Sequence, residues 1–154
     1  MEPSATTFAV TLAVMYGVHP VADHWVQTHH QASTKGAYGA NAWRGRVAAA
    51  AHVLTYTATL ALALLLVGWR FGVTYEPVKM TLGLGLNAVS HWWADRRAPL
   101  AWLAHLVGPP VGEFHRLGAP RPGGTDPSCL GTGAYALDQS WHMVWLVIAA
   151  AVMV

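Results

Sequence analysis

Charge is what this sequence has least of. Acidic and basic residues together make up 10% of the chain, against about 25% in a typical soluble domain. Hydrophobic residues make up 54%. With a mean hydropathy of +0.33 and eight tryptophans, this deficit excludes an ordinary soluble domain and indicates a protein of the bilayer. The few basic residues are scattered and the net charge is +2, so no cationic stripe follows a nucleic-acid backbone and no nucleic-acid partner is expected. The single Cys129 permits neither an internal disulfide nor a CxxC zinc or redox pair. No repeat of solenoid length and no low-complexity tract occurs. The opening Met-Glu-Pro-Ser lacks the basic region of a secretory signal, so the first apolar segment is expected to be retained. The length of 154 residues gives one domain, residues 1–154.

What is present is a set of four apolar stretches. They predict an all-α fold, an integral membrane four-helix bundle with membrane helices at about 6–27, 43–69, 77–96 and 133–154. In the first, the apolar run 8–18 is too short to cross a bilayer, which takes roughly 20 residues. The helix must therefore continue through His19-Pro-Val-Ala-Asp23, and Pro20 should kink it by removing the bond to the Tyr16 carbonyl. The second segment has small residues early and leucines late. The third begins at Pro77, and its Gly83 and Gly85 are expected to allow close packing. Residues 28–41 read as a polar loop. Residues 98–107 read as a short interfacial helix anchored by Trp102. The stretch 108–132 holds five of the nine prolines and reads as an irregular loop or lid.

Polar residues recur within these segments at one spacing. His19 and Asp23, His91 and Asp95, and Asp138 and His142 each stand four apart, which on a helix brings Cβ atoms to about 5–6 Å. His52 lies early in the second segment. In an up-down-up-down bundle all of these fall at one end. Seven basic residues (Lys35, Arg44, Arg46, Arg96, Arg97, Arg116 and Arg121) belong to that end, and two (Arg70 and Lys79) to the other. The bias puts the polar end at the cytoplasmic face of a bacterial inner membrane, with both termini outside.

Three carboxylates and four imidazoles in such a place call for a cation. An ionisable group costs on the order of 2.5–3.5 kcal/mol at the bilayer centre and less towards the interface. The predicted metal ligands are His19, Asp23, His52, His91, Asp95, Asp138 and His142. They suit one ion with supporting groups, or two ions sharing a carboxylate. Nitrogen and oxygen donors without thiolate favour zinc, with manganese or iron as alternatives. Water activated by such an ion makes hydrolysis the expected chemistry, with the base unassigned among Asp23, Asp95 and Asp138. Gln27 and Gln139 are candidates to orient ligands. Arg96 and Arg97 serve as topogenic charges and also suit an anionic, lipid-linked or phosphorylated substrate. His24, His29 and His30 read as interfacial or loop residues, and His105, Glu113 and His115 as loop decoration. The rival is a non-enzymatic membrane protein, a metal or proton carrier or an interaction protein, single or self-associated, whose His/Asp cluster is structural. A carrier needs ionisable groups continuing to the far face, and the second and fourth segments have none beyond His52 and His142.

At these residues the chain resembles an uncharacterised family of small bacterial and phage integral membrane proteins. The matching elements are His19-Pro-Val-Ala-Asp23 with Gln27 and Thr28, Lys35, His52, His91 with Asp95, and Asp138-Gln139-Ser-Trp-His142. They extend from about residue 10 to 150, and the 108–132 loop lies outside the pattern. The resemblance implies the membrane fold and the polar set. More distantly, with different spacing, the chain is similar to inner-membrane metal-dependent hydrolases.

Overall fold

The computed structural model describes residues 4–119 and 132–154, and the described residues form helices and turns with no strand. Helix α1 (Ala5–Pro20) begins where the Ser4 side chain accepts from the Thr7 amide. Pro20 ends the α-helix, but the chain continues directly into a π-helical turn, Val21–Trp25. Pro20 has no N–H to offer and its ring crowds the preceding turn. The next turn widens in response, so that the Val26 amide donates to the Val21 carbonyl at 3.1 Å.

The stretch 28–41, expected as loop, contains α2 (His29–Thr34) and a 3-10 turn, Gly39–Asn41. The reason is a capping box. Thr28 accepts from the Gln31 amide, and the Gln31 side chain accepts from the Thr28 amide. Helix α3 (Ala42–Phe71) stops at Gly72, whose φ of 72° supplies the left-handed residue that closes a helix. Helix α4 (Pro77–Asp95) starts with Pro77 in its first turn, and the Glu76 carboxylate caps the amides of Val78 and Lys79 at 2.9 Å each. Helix α5 (Ala98–Val107) is the expected short apolar helix, with Trp102 exposed.

Helix α6 (Pro109–His115) corrects the reading of 108–132 as irregular throughout. Pro109 and Pro110 fall in a first turn, where a missing N–H costs no bond. Residues 120–131, including Arg121 and Cys129, lie outside the described residues. Helix α7 (Gly133–Met153) is capped by the Thr132 hydroxyl.

Three segments are long and apolar enough to cross a membrane: Ala5–Trp25, Gly39–Phe71 and Gly133–Met153. Helix α4 is not among them, because Lys79, Asn87, Ser90 and His91 dilute its hydropathy. It packs chiefly on α7, while α1 packs on α3 and α7. The core between them holds Met15, Tyr56, Leu60, Leu64, Leu146 and Ala149. Leu54, Leu62, Leu65, Leu66 and Val144 face outward, a surface that suits lipid better than water.

The two glycines of α4 do different things. A Cβ at Gly83 would lie 2.6 Å from Met153 Cγ and 2.7 Å from the Ala149 carbonyl oxygen, so the α4–α7 contact requires its absence. Gly85, expected to share that role, would meet nothing within 4 Å. Gly83→Val should therefore destabilise the fold by about 1–3 kcal/mol, and Gly85→Val should not, as read by thermal melts in detergent. A second expectation concerns acid. The two backbone donors hold the Glu76 carboxyl below its usual range, so the cap is intact above the unfolded value and lost as pH falls through the folded one. Wild type should melt above Glu76→Ala near neutral pH, and the difference should close in acid.

Candidate metal centre

Four side chains from three directions meet at one end of the helices. Asp23 comes from the π turn, His52 from α3, and His91 and Asp95 from α4. All four are buried. His52 Nε2 lies 3.1 Å from Asp23 Oδ1, 3.2 Å from His91 Nε2 and 3.4 Å from Asp95 Oδ2. His91 Nε2 lies 3.5 Å from Asp23 Oδ1 and 3.4 Å from Asp95 Oδ2. Good N–H···O bonds run at about 2.7–3.2 Å, so three of these five separations are too long for hydrogen bonding. They match another geometry. Bonds of about 2.0–2.2 Å from a tetrahedral ion set donor–donor edges at about 3.3–3.6 Å. Asp95 Oδ2, buried and without a hydrogen bond, is the kind of atom such an ion would satisfy. The group Asp23, His52, His91 and Asp95 can hold a metal ion.

A hydrogen-bonded chain stands behind Asp23. A carboxylate oxygen can only accept, so the Gln139 amide turns its Nε2 to Asp23 Oδ2, at 3.2 Å, and its Oε1 to His19 Nε2, at 3.2 Å. His19 Nε2 therefore carries the proton, and Nδ1 accepts from the Tyr56 hydroxyl at 2.9 Å. Both nitrogens of His19 are thus engaged. The expected ligand His19 lies outside the four-residue group, and only Asp23 of its couple joins it. The π turn is the cause: it brings Asp23 round to a different azimuth than an unbroken α-helix would. The other two couples behave as the spacing predicts. His91 and Asp95 both join the four-residue group. Asp138 and His142 approach to 3.4 Å and join Asp95 in a second group able to hold an ion.

Lys35 was not among the expected site residues, yet its ammonium lies 2.7 Å from Asp95 Oδ1 and 3.9 Å from Asp23 Oδ1. Arg96 is what holds it there. This guanidinium, 6% exposed, donates to the carbonyls of Lys35 and Ala37 and lies over the Tyr38 ring. Helix α3 makes room at Gly45, where a Cβ would strike Arg96 Nη1 and lie 2.7 Å from the Ala37 carbonyl oxygen. Tyr56 was likewise missed, although it stands one turn from His52 on the same face of α3. The only sequence signals were that i,i+4 relation and, for Lys35, its place in the resemblance.

A cavity of about 700 Å³ opens over this end, with Asp23, Asp95, Asp138, Lys35, Arg97 and Tyr135 in its wall. Gln27 and Gln139 also line it, and His115 reaches it from α6. Arg97 donates to the Ala32 carbonyl and has a φ of 61°, a strained value for a non-glycine residue. Arg96 does not face the cavity. His24 is exposed and bonds the Pro20 carbonyl and Tyr135, while His29 and His30 lie exposed on α2.

No protein family matches this chain. No curated protein and no solved structure is significantly similar to it.

Since outer groups that aim a ligand typically alter metal affinity about 10–100-fold, Gln139→Leu should weaken metal binding by that factor without abolishing it. A competition titration with a chromogenic chelator would measure it.

Proposed function

We propose that this chain is an integral membrane metalloprotein, a bundle of four membrane helices that holds zinc between Asp23, His52, His91 and Asp95 and acts as a metal-dependent hydrolase. The observation that carries the proposal is that four buried donors converge, five of their six separations being 3.1–3.5 Å, close to the edges of a tetrahedron around an ion. Two imidazoles and two carboxylates suit zinc first, and manganese or iron next. Helix α4 counts as the fourth span although it is the most polar, because Asn87, Ser90, His91 and Asp95 are buried against protein. The basic excess at this end supports an inner-membrane orientation with the site at the cytoplasmic face and both termini outside. The resemblance to small bacterial and phage membrane proteins, and more distantly to inner-membrane hydrolases, agrees.

A bound ion supplies a Lewis acid and an acidified water at neutral pH. The chain's own groups do the rest. Asp138, in the cavity wall, is the most accessible of the three carboxylates there. Among the described residues Lys35 and Arg97 are the lysine and arginine that face the cavity, which suits a phosphorylated or lipid-linked substrate. The chain Tyr56–His19–Gln139 keeps Asp23 aimed.

One observation favours a second, non-enzymatic reading. The Lys35 ammonium with one imidazolium would balance Asp23 and Asp95 without any ion, leaving a structural or proton-holding cluster.

Metal analysis of detergent-purified protein separates the two. Wild type should retain zinc, His52→Ala and His91→Ala should lose it, and His19→Gln should keep most of it. Zinc at background in wild type would leave only the charge-balanced cluster. For the enzymatic half, chelator-sensitive cleavage of phosphodiester or phospholipid substrates is expected, and its absence from zinc-loaded protein would overturn the hydrolase.

A further inference from the structure

The two imidazoles of the four-residue group are closed off: His52 is 0% and His91 1% exposed, and neither lines the cavity. Four protein ligands around one ion leave no open position, as in a structural site, whereas sites that exchange ligands keep three protein donors and an open position. The second group has that character. Asp95, Asp138 and His142 each offer a donor atom within 4.8 Å of the others. Asp95 and Asp138 line the cavity, and the Asp138 side chain keeps 25% of its surface exposed. His142 points the other way in environment. It is 2% exposed, yet its Nε2 has no hydrogen bond and lies 3.4 Å from Asp138 Oδ2. A buried imidazole nitrogen left unpaired beside a carboxylate has an unmet partner.

The two groups are neighbours by construction. Asp95 belongs to both, and the rings of His91 and His142 stack with centroids 4.0 Å apart and planes 20° apart. We infer that the protein binds two divalent ions: one closed in by Asp23, His52, His91 and Asp95, and a second, open to the cavity, on Asp95, Asp138 and His142, with Asp95 joining them. This rests on the metal-binding reading above and assigns the exchangeable position to the second site. The arrangement resembles the paired sites in which two ions about 3.5–4 Å apart serve phosphoryl chemistry.

Charge gives the second site its ligand class. Three carboxylates and the Lys35 ammonium leave a surplus of negative charge that one divalent ion neutralises. A second ion makes the centre cationic, and an anion entering from the cavity restores the balance. The open ion and Lys35 then face a phosphoryl group together. Two carboxylates and one imidazole make this site richer in oxygen than the first, which suits manganese as a probe.

The test is stoichiometry. Detergent-purified protein, stripped and titrated with Mn2+, should bind about two ions per chain. Asp138→Asn and His142→Gln should each bind about one. Asp138 is part-exposed, so its substitution leaves the core intact if His142→Gln misfolds. Electron paramagnetic resonance should show a spin-coupled pair in wild type and an isolated ion in Asp138→Asn. One ion in wild type, unchanged by Asp138→Asn, would overturn the second site and leave the first standing. Two ions persisting in both variants would overturn it as well. No ion at all would remove the metal-binding reading itself.

Discussion

Two buried carboxylates facing two buried imidazoles set the terms for everything else in this fold. Asp23 and Asp95 are 4% and 2% exposed, and an ionised group so placed is tolerable only when paired and hydrogen-bonded on every side. The helices are arranged to meet most of that demand, with Asp95 Oδ2 left without a hydrogen bond. The π turn after Pro20 swings Asp23 inward, α4 presents His91 and Asp95 one turn apart, and α3 offers His52 between them. Nothing in the apolar packing of Leu60, Leu64 and Leu146 dictates such a meeting, since leucines pack well at many rotations. The polar end chooses the rotation and the apolar remainder accepts it.

Support for the site comes from outside the long helices. Lys35 is on a short connection after α2, and its ammonium would be a poor match for Asp95 if the connection could wander. Arg96 prevents this by bonding two carbonyls of that connection from the very next residue after Asp95. Carboxylate and cation are thereby tied to one point of the backbone. Gly45 is the concession α3 makes to it. This is also why Arg96 and Arg97 differ despite their adjacency: one is spent on structure, and the other is turned towards the cavity.

Much of this was legible in the sequence. Three of the long helices follow from hydropathy, α4 follows from its Pro77 start and the His91–Asp95 spacing, and the end at which polar residues gather follows from alternating direction along the chain. Two of the three i,i+4 couples act as the spacing predicts, because an ordinary α-helix fixes their relation. The third couple contributes only Asp23 to the group, and it spans the place where the helix is not ordinary. Pro20 was read as a kink, but its effect on Asp23 depends on which repair the backbone adopts, and local sequence does not specify that. Lys35 and Tyr56 were missed for a related reason. A lone lysine in a polar stretch and a tyrosine in an apolar helix take their meaning only from what lies across the bundle. Helix α2 was a plainer omission, since Thr28 and Gln31 form a capping box readable without any structure.

The one-sided distribution of charge also bears on what the centre can do. A carrier must offer a path, and below His52 and His142 the described interior is chiefly Tyr56, Leu60, Leu64, Leu146 and Ala149, with the neutral Thr11 and Asn87. An ion leaving in that direction would lose its ligands with nothing to replace them, at a cost of several kcal/mol per charge. On the other side lie the cavity, three carboxylates and two cations. Among the described residues, the cavity is the opening that borders this centre. A pocket with fixed charge at its floor is suited to holding a polar group still. The geometry thus weighs against passage through the bundle, independently of which ion the centre holds.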